Sequence, residues 1–119
     1  MHKPRFIDHR GKLILYVNLA HASPGQHANG LADAERAILE HPASSVLFLL
    51  DVTGAGVNHE TEEIVTRFVE RTRDRIRARA VVGASGLKRR TFDLPAYPGR
   101  HALFDDLEAA RDWLVDRED

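Results

Sequence analysis

Along the chain the apolar positions switch between continuous runs, alternation and helical spacing, and each switch marks an element. Val46 to Leu50 is a continuous apolar run ending on Asp51, the pattern of a strand buried on both faces in the middle of a covered sheet. Thr53, Gly54 and Gly56 break the run, and Asn58 offers a side-chain oxygen to cap a helix. From there Ile64, Val65, Phe68, Val69, Thr72 and Ile76 recur at helical spacing and form one apolar stripe. Strand, glycine loop and helix start together make a place where backbone N–H groups face an anion or a partner.

The flanking stretches read in the same way. Arg5–His9 and Lys12–Leu19 are predicted strands joined at Arg10-Gly11, with Leu13, Leu15 and Val17 on one face and Ile14, Tyr16 and Asn18 on the other. Ala20 to Asn29 has the composition of a loop, turning at Ser23-Pro24-Gly25, and a helix is expected from about Gly30 to Glu40 until Pro42 stops it. The run from Ala78 to Ser85, centred on Ala80, Val81 and Val82, predicts a further inner strand. A short helix is expected to start at Gly86, limited by Pro95 and Pro98, and a short edge strand to lie between Gly99 and Leu103. Asp105 is the expected cap of a final helix, with Glu108 reaching back to it and Phe104 stapled on Ala109. Leu107, Ala110, Trp113 and Leu114 form its buried stripe. The order β-β-α-β-α-β-(α)-β-α predicts an α/β domain with a mixed, mostly parallel sheet of four to five strands packed with helices.

Composition narrows the chemistry. At 119 residues and 43% hydrophobic, the chain suits a single domain, residues 1–119, with a real core. It has no cysteine, which excludes disulfides, thiolate catalysis and cysteine-based metal sites. It contains no apolar run long enough for a membrane span, and its N-terminus lacks a signal-peptide core, so a cytoplasmic location is the expectation. The net charge of −1 hides a segregation. Residues 67–90 hold nine basic residues against two acidic ones, and residues 105–119 hold seven acidic against two basic. Solvated helix faces attracting one another explain this, and so does a basic surface for an acidic partner.

No catalytic constellation stands out. The loop glycines Gly54 and Gly56 lack the third glycine of a dinucleotide fingerprint, that position being His59, and no Gly-Lys-Ser/Thr is present after them. The seven histidines show no helical metal-site spacing, so no metal and no cofactor are expected. No serine sits in a nucleophile elbow. Lys88, Arg89 and Arg90 come directly after Ser85-Gly86 and are placed to share an anion with the glycine loop. Phe68 is the one aromatic residue among the basic positions 67–90, which argues against DNA.

Three pieces, SSVLFLLDVTG, ARAVVGASGLKR and ALFDDLEAARDWLV, resemble a STAS-type domain, the fold of anti-sigma-factor antagonists. More closely they resemble the small bacterial STAS-like proteins grouped with CRAL-TRIO-type lipid-transfer domains. The pattern FD-x-x-E-A-x-x-WL carries the most specific part of the likeness. In the antagonists a serine at the start of the helix after the central strand, in a D-S-S/T-G motif, is phosphorylated. The matching positions here are Asn58, His59, Glu60 and Thr61, with no serine. The resemblance therefore implies a non-enzymatic regulatory or protein-interaction module without the usual phosphoserine. Its contacts are expected at Gly54, Gly56, Asn58, His59, Glu60, Thr61, Ser85, Lys88 and Arg89. Glu60 supplies a standing negative charge there, and Thr61 is the remaining hydroxyl. The alternative that the resemblance implies is a carrier of a lipid or small anionic, amphipathic ligand. An edge strand or an amphipathic helix also offers a route to a homodimer.

Overall fold

The computed structural model describes residues 4–56, 58–84 and 100–117. Strands β1 (Arg5–His9) and β2 (Lys12–Asn18) pair antiparallel across Arg10-Gly11. Both turn residues have positive φ, 53° and 85°, as a two-residue loop matched to the twist of its strands requires. Next in the chain come helix α1 (Pro24–Leu39), strand β3 (Val46–Asp51), helix α2 (His59–Thr72), strands β4 (Ile76–Val82) and β5 (His101–Phe104) and helix α3 (Leu107–Val115). The five strands lie in chain order, β1-β2-β3-β4-β5, with every pair after the first parallel. β3 occupies the middle and is buried along its whole length, because helices cover both of its faces.

Alternation along the strands divides the core in two. Leu15, Val17, Phe48, Leu50 and Val81 face α1 and α2, meeting Leu31, Ala34 and Ile38 from the first helix and Val65, Phe68 and Val69 from the second. Ile14, Tyr16, Leu47, Leu49, Ala78, Ala80 and Val82 face the other way and meet Ala110, Leu114 and Val115 of α3. Small residues at 78 and 80 let α3 settle close to the sheet. Trp113 packs on Phe104 with ring centroids 5.6 Å apart.

Three boundaries differ from the sequence reading. Helix α1 starts at Pro24, within the stretch expected to be a loop. Ser23 Oγ accepts from the Gln26 N–H at 3.3 Å and the Ser23 N–H donates to Gln26 Oε1 at 2.9 Å, and Pro24 stands in the first turn, where its missing N–H costs nothing. Ile76 opens β4 instead of closing the α2 stripe, since α2 ends at Thr72. The cap of α3 is Asp106, whose Oδ1 accepts from the Ala109 N–H at 2.8 Å. Glu108 consequently lies in the first turn, where it favours the positive helix end and closes no capping box. The short helix expected from Gly86 lies outside the described residues.

The charged runs also find definite uses. Arg75 donates to the Leu39 and His41 carbonyls at 3.0 and 2.7 Å, and Arg77 to the Ser44 carbonyl at 3.2 Å, which ties the end of α1 to β4. On the acidic run, Asp112 and Asp116 are engaged by His9 and Arg10 of the hairpin. The attraction expected between two helix faces is therefore met, for these carboxylates, by a strand turn.

Candidate functional site

The candidate surface lies where β2 and β3 end. The loops after these strands are laced together through their backbones. The Leu19 N–H donates to the Asp51 carbonyl, His21 to Thr53, and Gly56 to Ala22, each at 2.8 Å. Asp51 is buried, and its Oδ1 accepts from the Thr53 N–H at 2.9 Å. Gly54 has φ +68°, and a Cβ there would collide with the His21 ring. A Cβ on Gly56 would press on Pro24 Cδ at 3.3 Å. Both glycines therefore serve close packing of one loop against the other.

The first turn of α2 is fixed by a reciprocal cap. The Thr61 N–H donates to Asn58 Oδ1 at 2.9 Å and the Asn58 N–H to Thr61 Oγ1 at 3.3 Å, while the Thr61 hydroxyl donates to Asn58 Oδ1 at 3.0 Å. Thr61 is only 1% exposed, so its hydroxyl belongs to the cap and not to the surface. His59, with its side chain 86% exposed, stands over Glu62 and Glu63 at 3.8 and 3.5 Å. Glu60 is exposed beside it. The N–H groups of Thr53, Ala55, Gly56, Asn58 and Thr61 all have protein acceptors. The expected cradle of donors for an anion is thus largely spent on the loop itself, and the turn offers instead a row of side chains, mostly acidic.

Of the residues singled out from sequence, Gly54, Gly56, Asn58, His59, Glu60 and Thr61 are brought together here. Ser85, Lys88 and Arg89 lie outside the described residues. Several serine and threonine hydroxyls among the described residues have local duties. Ser45 donates to the Pro42 carbonyl at 2.6 Å, Thr66 to Glu62 at 2.9 Å and Thr72 to Phe68 at 2.7 Å. Among the described residues no three His, Asp or Glu side chains converge on a metal position, and no helix is long and apolar enough to cross a membrane. Burial, and next the Asp51 carboxylate, push the Tyr16 hydroxyl above its ordinary range, against the pull of Arg5 and Arg111. The ring packs in the core under α3, a structural position.

One feature of the surface has no counterpart among the sequence expectations. An open groove of about 220 Å³ runs between α1 and α2, lined by Leu31, Ile64 and Phe68 with Arg67, Arg71 and Glu35 among its polar residues. Arg71 and Glu35 approach to 3.7 Å. Its first wall includes Ala28, which falls in the stretch with the composition of a loop, so the sequence pattern shows only part of that wall. Beneath α2, by contrast, the cavity bounded by Leu31, Phe48, Val65, Phe68 and Val81 measures about 10 Å³, the room of a single water.

No family model matches the chain, and no curated protein matches it. Among solved structures, an uncharacterized protein of the DUF3478 family from Shewanella loihica, described as having a SpoIIAA-like fold, matches with a TM-score of 0.71. The match covers 96% of this chain and 95% of that one at 16% identity. A likeness at this identity speaks for architecture alone, and it agrees with the sheet order and layers described above. The chain has a STAS-type fold.

Proposed function

We propose that this STAS-type domain is a non-enzymatic interaction module that docks a protein partner on the first turn of α2 and the Gly54–Thr61 loop. Ser85, Lys88 and Arg89 join that surface on the strength of the sequence alone. The observation that carries the reading is the contrast within one turn: Asn58 and the buried Thr61 are bound to each other, while the side chains of His59 and Glu60 face solvent. A surface already held in its final shape loses little entropy on association. Its exposed carboxylates at Glu60, Glu62 and Glu63 favour a partner with basic contacts. Glu60 takes the place of a phosphate as the fixed negative charge at the helix start. In the test, wild-type protein and a His59→Ala/Glu60→Lys variant are immobilised and exposed to extract of the source cells. A partner held by the wild type and released by the variant is the expected result. Equal capture by both, with the variant folded by circular dichroism, overturns the reading.

The α1–α2 groove favours a second reading, a carrier of a small amphipathic anion, with apolar side chains on the floor and Arg67 and Arg71 nearby. At about 220 Å³ it falls below the usual several hundred Å³ of a ligand pocket, so it ranks second. Native mass spectrometry after incubation with oleate tests it. An adduct lost in Arg67→Glu/Arg71→Glu supports the carrier, and bare protein removes it.

A further inference from the structure

The large apolar side chains that stand exposed among the described residues are Phe6 at 43%, Leu13 at 61% and Leu39 at 43%. They are not scattered. Phe6 is paired with Leu15 and Asp8 with Leu13, so Phe6 and Leu13 sit diagonally on the face that carries α1. Leu39 ends α1 two positions before His41, whose ring lies edge-on to Phe6 at 5.1 Å. The patch borders β1, which terminates the sheet.

The hairpin fixes what that edge presents. His9 and Lys12 flank a two-residue loop with positive φ at both positions, so they form a hydrogen-bonded pair, and such pairs alternate along the ladder. Ile7–Ile14 and Arg5–Tyr16 are then bonded inward. The N–H and C=O groups of Phe6 and Asp8 point out of the sheet.

We propose that this edge receives β1 of a second copy of the chain, antiparallel about a two-fold axis through Ile7. In that register Phe6 faces Asp8 of the partner and both exchange their outward hydrogen bonds. On the α3 face, Arg5 comes opposite the partner copy's His9 position, whose imidazole holds Asp112 at 2.8 Å. Arg10 also stands 3.6 Å from that carboxylate, whose side chain is still 49% exposed, which leaves it room for a further cation. The contact is thus charge-complementary with itself, cation to carboxylate twice over, and a two-fold interface must be so. On the other face, Phe6 of one copy reaches over the short Asp8 towards Leu13 of the other, covering the apolar patch. The sheet becomes ten strands wide, and the two α2 starts stay free.

Sedimentation velocity of the full chain over a dilution series tests this. A mass moving from one chain to two with rising concentration is expected, with weaker association at high salt and in Arg5→Glu. Phe6→Glu/Leu13→Glu alters exposed positions only and is expected to give a single-chain mass throughout with unchanged circular dichroism. Hydrogen exchange at the Phe6 and Asp8 amides is expected to slow as concentration rises. A single-chain mass for the wild type at the highest concentration, or a doubled mass that persists in Phe6→Glu/Leu13→Glu, overturns the proposal. Glu60→Lys leaves the mass unchanged, which separates this interface from the docking turn.

Discussion

His9 Nε2 lies 2.8 Å from Asp112 Oδ1, joining the first hairpin to the last helix across most of the chain. Lys12 reinforces the joint by donating to the Val115 carbonyl at 2.7 Å, a cation at the negative end of α3. The hydrogen bond from His9 is the main reason the Asp112 carboxyl sits below its ordinary range. A carboxyl depressed in the folded state stabilises that state above the unfolded pKa, about 3.9 for aspartate. The contribution disappears as pH falls through the lower folded value. Asp112→Asn is therefore expected to lower the urea midpoint at neutral pH, and the gap from wild type to close as pH falls past the unfolded value of about 3.9 and on through the lower folded one. Midpoints measured across that range check it.

The cap at the start of α2 makes a second prediction. Asn58→Ala is expected to cost about 1 kcal/mol, and Thr61→Val, which removes the hydroxyl at a buried site, roughly 1–2 kcal/mol. The pair shares one network, so the double variant should lose less than the sum. Thr61→Val should weaken partner capture only as far as it loosens the turn, where Glu60→Lys abolishes it. Thermal unfolding and the capture assay together distinguish the holder of the turn from its face.

Gly54 is held at φ +68° against the His21 ring. Gly54→Ala is expected to destabilise by about 1–3 kcal/mol through backbone strain and collision. Adding His21→Ala should relieve the collision and leave the strain, recovering part of the loss. Denaturation of the single and double variants measures the two shares.

Ala80 is fully buried beneath α3. Ala80→Leu should push the helix off the sheet at a cost of about 1–3 kcal/mol, with broadened near-ultraviolet circular dichroism from Trp113. A volume-neutral control, Leu114→Met, is expected to stay within about 1.5 kcal/mol of wild type.

The central strand, the capped helix after it and the hairpin are legible in the sequence because each carries a pattern that burial on both faces, an Asx cap and a positive-φ turn impose. The early start of α1 is hidden by Gly25 and Gly30, which suppress helical periodicity, although Ser23-Pro24 with Gln26 spells a cap. Gly30 is buried in the helix, and packing overrides propensity there. The residues proposed as contacts between 54 and 61 lie together in the structure, but their division of labour is not legible in the sequence. Thr61 looks like a surface hydroxyl until the reciprocal cap with Asn58 turns it inward. The groove between α1 and α2 depends on the register of two helices, which no local pattern encodes.

The placement of α3 has a consequence for how the protein is made. A ribosome delivers the strands in the order in which they pair, so each new strand meets a neighbour already present. Among the described residues, the helix that covers the face of Ile14, Leu47, Leu49 and Ala80 is nonetheless α3, residues 107–115, which follows all five strands. A nascent chain stalled before that point lacks this cover, and a ribosome-associated chaperone would need to shield the apolar face.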